Sequence, residues 1–305
     1  MRDELAGLTT FVVVAEKRSF TAAATELGVT ASAVSQTIQK LEDRLGVRLF
    51  QRTTRSVGLT EAGQRLWERV RPAFTDMLSA VESLDELRDR PAGTLRLTIS
   101  RVASSIVLEP MLVAFLREHP EIRLDVSVDD GLVDIAARGF DAGVRLGETL
   151  DKEMIAVRIS GAQRAAVVGA PAYFAARGKP KHPRDLHRHD CIGYRRISGG
   201  DIYEWEFDER GKDFQIAVDG RIVVDDPFLG LRAAKGGLGL VYVLEEIARP
   251  YIERGDLLRV LHDFCSPFPG FFLYYPSRSY VPLKLRAFID FLSKPREKRR
   301  KRGHG

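Results

Sequence analysis

The apolar periodicity of this 305-residue chain changes class at one place, and that change decides what the chain can fold into. Ahead of Pro91-Ala92-Gly93 the apolar residues recur at helical spacing; from Thr94 onward strand-like and helix-like stretches take turns. The length alone suggests about two domains at roughly 150 residues each. The later part predicts strands at Leu95–Ile99, Ile122–Val128, Ala142–Leu146, Ala165–Gly169, Ile222–Val224 and Gly239–Val243, with helices at Val107–His119 and Gly131–Arg138. Such alternation implies βαβ units, a largely parallel sheet and two α/β sub-domains with a ligand cleft between them.

The N-terminal part predicts short helices. Leu5, Leu8, Phe11, Val12 and Ala15 are at helical spacing, and Ser19 precedes a helix over Phe20–Leu27 that Gly28 ends. Thr30 caps the next, Ala31 to about Leu45, with Val34, Ile38, Leu41 and Leu45 as its apolar stripe and Gly46 as its stop. Two helices on a tight glycine-containing connection form the helix-turn-helix pattern. The second presents Ala31, Ser32, Ser35, Gln36 and Gln39, small and amide side chains suited to entering a groove and bonding base edges. A plain solvated helix face is the competing reading.

Charge favours the first. From Arg44 to Thr60 there are four arginines (Arg44, Arg48, Arg52, Arg55) and no acid. Val47–Phe50 and Val57–Leu59 are strand-like around Arg52–Ser56, so a basic hairpin suited to phosphate oxygens follows the second helix. Thr60 then caps a helix running to about Arg90, with Leu66, Val70, Ala73, Met77, Ala80, Leu84 and Leu87 in steps of four and three. At ~30 residues, ~45 Å of helix, it is longer than a small domain covers, which favours pairing with a second copy over packing on its own domain. Pro72 predicts a kink.

The formal net charge of +5 does not itself point to a polyanion. Residues 294–302 hold seven Lys/Arg against Glu297, a net of +6, which leaves the rest of the chain at −1. That tail has no apolar periodicity; a solubilising terminus and extra non-specific DNA attraction are both open to it. Two cysteines, Cys191 and Cys265, make no disulfide framework and fit a reducing compartment. With no secretory pattern at the start and no apolar run near the ~20 residues of a membrane span, a cytoplasmic protein without a membrane partner is expected.

At this point the residues resemble LysR-type transcriptional regulators, over roughly residues 5 to 292. The N-terminal half carries Phe11, Ala15, Ser19-Phe20-Thr21-Ala22-Ala23-Ala24, Leu27, Ala33-Val34-Ser35, Ile38, Leu41-Glu42, Leu45-Gly46, Leu49-Phe50, Arg52 and Leu59-Thr60-Glu61-Ala62-Gly63. The second half carries Gly93-Thr94-Leu95-Arg96, Phe115 with His119-Pro120, Asp141 with Val144-Arg145-Leu146-Gly147, Pro171-Ala172-Tyr173, Gly178, His189-Asp190-Cys191 and Gly236-Gly237-Leu238-Gly239.

The resemblance implies an α/β protein with an N-terminal all-α winged helix-turn-helix and an effector half like the type 2 periplasmic binding proteins. The divisions it implies are residues 1–60 for DNA binding, 61–90 for the linker helix, 93–292 for the effector domain and 293–305 for a disordered basic tail. Lobe I is about 93–161 with 268–292, and lobe II about 162–267. Family members work as dimers or dimers of dimers on promoter or operator DNA, with RNA polymerase as a further candidate partner.

Carried over by position, Ala31, Ser32, Ser35, Gln36 and Gln39 read DNA, Arg52 and Arg55 sit on the wing, and Ser19 and Thr21 support backbone contacts. Many family members have larger polar or basic residues at the positions of Ala31 and Gln36, so no operator sequence carries over. The effector positions are Ser100, Arg101, Ser104, Ser105, Asp129, Asp130, Arg145, Val224 and Asp225. A helix N-terminus with serine hydroxyls, and Arg101 or Arg145, suggest a small anionic effector; a structural tie of Arg145 to Asp141 is the alternative.

Other signals point elsewhere less well. His182, His187, His189 and Cys191 match no zinc spacing, so no metal or cofactor is expected. A redox role for Cys191 and Cys265 requires that they be close. Gly236–Gly239 precedes a strand, unlike a dinucleotide loop. An enzyme is disfavoured because no nucleophile–base constellation is visible. A solute-binding protein is disfavoured by the helix-turn-helix half, and a non-specific DNA-compacting protein is told apart by its footprints.

Overall fold

The computed structural model describes residues 5–52, 57–83, 90–131, 134–147, 154–276 and 281–293. Arg55 at the wing tip, Leu84 and Leu87 of the helix seam, and the basic tail lie outside them. The chain forms two units, residues 1–90 with 134–139, and residues 91–133 with 140–305.

The first unit holds α1 (Leu8–Lys17), α2 (Phe20–Leu27) and α3 (Ala31–Leu45), and α2 and α3 are bounded by the residues expected to bound them. Ser19 Oγ accepts the Ala22 N–H and Thr30 Oγ1 the Ala33 N–H, both at 3.2 Å, filling donors that a helix start leaves unpaired. Gly28 and Gly46 end α2 and α3 in the left-handed region, at φ 65° and 69°. Phe11, Val12, Val14, Val34, Ile38 and Leu41 close into one core with Leu49 and Phe50. β1 (Phe50–Arg52) and β2 (Val57–Leu59) form the antiparallel wing, with Phe50 opposite Leu59 and Arg52 opposite Val57. The first wing strand starts at Phe50 rather than Val47, because the Val47 N–H is bound to the Glu42 carbonyl in the turn that closes α3.

Thr60 caps α4 (Glu61–Ser83), its Oγ1 accepting the Gly63 N–H at 3.0 Å. Gly63 lies so close to the Leu49 carbonyl that a Cβ has no room, which fixes how the helix leaves the wing. Leu66 and Val70 of the expected seam pack partly on the unit's own core, whereas Met77 is 62% exposed. A short helix, α7 (Ile135–Arg138), joins this unit. There Arg71 is buried, pairs with Glu16 at 2.5 Å, lies over the Trp67 ring and leaves no space for a side chain at Gly139.

The second unit holds two mixed sheets. The first takes β3 (Gly93–Ile99), β4 (Ile122–Val128), β5 (Ala142–Leu146), β6 (Met154–Arg158) and β15 (Phe271–Pro276), in the order β4-β3-β5-β15-β6. β3 runs parallel to β4 and β5, whereas β15 is antiparallel to β5 and β6. The second sheet takes β7 (Gln163–Gly169), β8 (Cys191–Tyr194), β11 (Val223–Val224), β12 (Leu240–Leu244), β13 (Leu258–Val260) and β14 (Pro267–Phe268). Here β7 is antiparallel to β12, β13 and β14. The largely parallel sheet expected from alternation is therefore corrected to two mixed sheets, each with one strand reversed against its neighbours.

β9 (Trp205–Glu209) and β10 (Lys212–Ile216) form a separate hairpin. Its two-residue turn, Arg210-Gly211, has both φ values positive, at 57° and 79°. The helix expected over Val107–His119 is broken into a π turn at Ser104–Leu108 and α6 (Leu112–Glu118). Pro110, which has no N–H to donate, stands between them. α9 (Pro227–Lys235) starts on Asp226, whose Oδ1 accepts the N–H of Phe228 and Leu229.

The chain passes between the sheets twice, at 159–162 and 269–270. The two crossings are tied together: Phe271 N–H donates to Ser160 Oγ at 2.7 Å and Ile159 N–H to the Phe271 carbonyl at 3.0 Å. Gly270 packs against Ser160 and Gly161 with no room for a Cβ. Among the described residues no helix is long and apolar enough to cross a membrane.

Candidate nucleic-acid interface and ligand cleft

The two faces of α3 separate cleanly. Val34, Ile38 and Leu41 are buried, while Ala31, Ser32, Gln36 and Gln39 are exposed and Ser35 is half-buried. Lys40, one turn beyond Gln36, is exposed too; the i to i+4 step from Gln36 is the signal that finds it. Thr37 Oγ1 donates to the Ala33 carbonyl and is spent within the helix. Ser19 is committed to its cap, Thr21 is exposed with its carbonyl accepting from Thr25 Oγ1, and Arg52 ends β1.

Two of the four wing-region arginines are tied down locally. Arg44 Nη2 donates to the Ala6 carbonyl at 2.6 Å and Arg48 Nη1 to Glu42 Oε2 at 2.7 Å. Glu42, although an acid, is only 4% exposed. Burial by itself would push its carboxyl up; the Arg48 bond and the N–H groups of Leu49 and Phe50 outweigh that and hold it below its ordinary value.

In the second unit, the effector positions of the first sheet gather at the ends of β3, β4 and β5. Ser100 Oγ caps the three-residue helix α5 (Arg101–Ala103) by accepting the Ala103 N–H at 3.4 Å. Arg101 N–H donates to Asp130 Oδ1 at 2.7 Å, and its Nε lies 3.7 Å from Asp130 Oδ2. Asp129 Oδ1 accepts the Gly131 N–H at 2.8 Å. Ser104 and Ser105 stand half-buried in the π turn that follows.

Arg145 is not tied to Asp141. It donates to the Val144 carbonyl, Thr98 Oγ1 and the Gly131 carbonyl, at 3.0, 3.2 and 3.2 Å. Asp141 instead accepts the Arg96 N–H at 2.7 Å and pairs with Lys284.

In the second sheet Val224 ends β11 and is buried, and Asp225, next along the chain, is exposed. Tyr194, a residue that sequence reasoning missed, feels charge from both sheets, from Asp130 and Arg101 on one and Asp225 on the other. Its hydroxyl is pushed up to about 12, first by burial and then by the carboxylates of Asp130, Asp225 and Asp226. Burial raises the Asp130 carboxyl as well, against the pull of Arg101 and Arg145, and Asp130 Oδ2 has no hydrogen-bond partner among the described residues. Groups from both sheets thus form one polar cluster of a guanidinium, carboxylates and a phenol, able to hold a small polar molecule.

The histidine group does not converge. His182 Nδ1 accepts the Arg184 N–H, His189 Nδ1 lies 3.2 Å from Tyr173 Oη, and Cys191 is buried in β8. Among the described residues no three His, Cys, Asp or Glu side chains are placed to hold a metal.

Residues 5–64 match the family described as bacterial regulatory helix-turn-helix protein, lysR family, and residues 88–295 match the LysR substrate binding domain. The chain is 45% identical over 292 residues to the uncharacterized HTH-type transcriptional regulator YcaN of Escherichia coli, covering 96% of this chain and 95% of that protein. It is 40% identical over 291 residues to the HTH-type transcriptional regulator PgrR of the same organism, covering 95% and 97%. The full-length structure of AphB, a virulence activator of Vibrio cholerae, is similar with a TM-score of 0.62 at 26% identity, covering 94% and 98%. With its exposed α3 face, wing and two-sheet regulatory unit, the chain belongs to the LysR family of DNA-binding transcriptional regulators with an effector-binding domain.

Proposed function

We propose that this regulator binds operator DNA as a homo-oligomer, with α3 in the major groove and the β1–β2 wing on the phosphates. A small molecule at the Arg101–Asp130–Tyr194 cluster then shifts how the copies are arranged, with RNA polymerase as the partner at the promoter. The observation that carries the reading is the division of α3: its apolar side is closed into the core while Ser32, Gln36 and Gln39 stand clear as donors and acceptors for base edges. Self-association rests on the length of α4 and the exposure of Met77 on its seam.

Footprinting of DNA beside the genes that flank the regulator's own tests this directly. The triple variant Ser32→Ala, Gln36→Ala, Gln39→Ala is expected to lose a discrete footprint while its circular dichroism and oligomeric state stay those of the parent. A triple variant that protects the same bases as the parent overturns the reading.

For the effector, Arg101 is the guanidinium that an anionic group would engage, since Arg145 is held by Thr98, Val144 and Gly131. A thermal-shift panel of small organic acids is expected to raise the melting temperature of the parent but not of Arg101→Ala. A rise that persists unchanged in Arg101→Ala overturns the anionic effector.

A further inference from the structure

The chain passes between its two units three times. Besides the junction at 90–91, it leaves the second unit after residue 133, lends residues 134–139 to the first, and returns at Phe140. This excursion is the crossover from β4 to β5, and both of its ends are pinned on the first sheet. At the outgoing end the Gly131 N–H donates to Asp129 Oδ1 at 2.8 Å, and the Gly131 carbonyl accepts from Arg145 Nη2 at 3.2 Å. At the returning end the Asp141 N–H donates to the Arg96 carbonyl at 2.8 Å. Asp141 Oδ2 accepts the Arg96 N–H at 2.7 Å, and its Oδ1 lies 3.4 Å from Lys284 Nζ.

The outgoing pin is made by the polar cluster itself. Asp130, one residue earlier, takes the Arg101 N–H at 2.7 Å, and Arg145 supplies the bond to Gly131. Gly131 is buried, and the second sheet reaches it as well: Ile197 Cγ2 stands 3.6 Å from where a Gly131 Cβ would be. Ile197 belongs to a turn that follows Tyr194 directly. The Tyr203 N–H on the Tyr194 carbonyl, at 2.7 Å, and the Arg196 N–H on the Asp201 carbonyl, at 2.9 Å, close that turn. One glycine is thus held by an arginine of the first sheet and touched by a tied turn of the second. A ligand that draws Asp130 or Arg145 toward itself, or changes the gap between the sheets, displaces it.

The far end of the excursion packs on α4 within the first unit. Ile135 is fully buried, and Gly139, at φ 68°, lies where the Arg71 guanidinium leaves no room for a Cβ. Arg71 is buried in turn and is paired with Glu16 of α1. Phe11, Val12 and Val14 of α1 share one core with Val34, Ile38 and Leu41 of α3. A close-packed interior has little slack to absorb a shift of α7, so the shift is passed on.

We propose that the β4–β5 crossover is the route by which the state of the cleft reaches the DNA-binding unit. Gly131 receives the change, α7 carries it, and the Arg71–Glu16 pair delivers it to α1 and so to the seat of α3. The proposal rests on the reading of the Arg101–Asp130–Tyr194 cluster as the effector site. It gives Arg145 a positioning role: its guanidinium holds the start of the crossover.

Hydrogen exchange read by mass spectrometry on the full-length chain tests the route with neither effector nor operator present. Arg145→Met removes the donor to Gly131 and keeps a side chain of similar length. It is expected to speed amide exchange in peptides over 134–139 and, by about threefold or more, in α1. With Arg71→Ala added, the change at 134–139 is expected to remain and the change in α1 to vanish, the less-than-additive result of a coupled pair. An α1 that exchanges at the parent's rate in Arg145→Met, or that responds equally with and without Arg71, overturns the proposal. Exchange in β12 and circular dichroism report any general loss of fold. Should either change, Ile197→Ala, which removes only the contact at Gly131, takes the place of Arg145→Met under the same criteria. Because this comparison contains no ligand, it decides the route even where no organic acid binds. An acid that raises the melting temperature and leaves α1 exchange unaltered overturns the route and spares the effector site.

Discussion

Glu42 and Arg48 are joined where α3 gives way to the wing: Arg48 Nη1 donates to Glu42 Oε2 at 2.7 Å. The other carboxylate oxygen, Oε1, accepts the N–H groups of Leu49 and Phe50 at 2.8 and 3.2 Å. One buried acid therefore anchors the first wing strand to the end of α3 by its backbone, and the same acid takes one arginine of a run that has no acid of its own.

Replacing that carboxylate leaves buried N–H groups short of an acceptor. Glu42→Ala is expected to lower stability by about 2 kcal/mol, read as a fall in the denaturation midpoint. The wing should loosen with it, so DNA affinity falls although Glu42 itself faces away from any groove.

The pH dependence follows from the same group. Its folded value is held below the ordinary carboxylate value, so the stability it confers is fully present above about pH 4.3 and is lost as the pH falls through the lower folded value. In Glu42→Gln that part of the acid limb should disappear. An unchanged difference between variant and parent from pH 6 to pH 3, taken as rough limits around that value, would count against the assignment.

Lys40 is exposed on α3 beside Gln36, outside the set of base-facing small and amide residues. As a phosphate contact it should act without regard to sequence. Lys40→Ala is expected to weaken specific and non-specific DNA binding alike and to lower the salt slope by about one. A loss confined to one operator base would instead make it a reader.

Gly139 combines φ 68° with the Arg71 guanidinium where its Cβ would be. Gly139→Ala should cost about 1–3 kcal/mol from the backbone alone, before any displacement of Arg71 from Glu16. In an Arg71→Ala background the contact part of that cost vanishes, so a thermal-melt double-mutant cycle should be less than additive.

Cys191 and Cys265 are both buried, and burial pushes their thiols up to about 12 and about 11. Neither is a thiolate near neutral pH. Iodoacetamide should leave the native chain unmodified over a time in which both thiols react in denaturant, and peroxide at the same exposure should not alter DNA binding.

The sequence revealed what is written locally. Ser19, Thr30 and Thr60 cap, and Gly28 and Gly46 stop, because such side chains and positive-φ positions act within three or four residues of themselves. The β9–β10 hairpin does alternate, Trp205 and Phe207 inward with Glu206 and Asp208 between, but its Arg210-Gly211 turn lacks the usual Asn or Asp signal. β15 hid for the opposite reason: it pairs on both sides and reads as a plain apolar run. Strand direction has no local signature, so β7, expected as a strand at Ala165–Gly169, gives no sign of its reversal, and neither does β15. At the cleft, Tyr194 carries no motif; what marks it is its neighbourhood of Asp130, Asp225 and Asp226, brought from distant stretches only by folding.

The two crossings between the sheets, laced by Ser160, Gly161, Gly270 and Phe271, also limit how this regulator can be recombined. A hybrid that borrows the second sheet from a relative has to take both crossings from one parent, since a foreign side chain opposite Gly161 has nowhere to go. Breakpoints inside 159–162 or 269–271 split an interlocked pair, while breakpoints in the loops on either side move it whole. The regulatory half is therefore inherited, or engineered, as a single part with two threads through its waist.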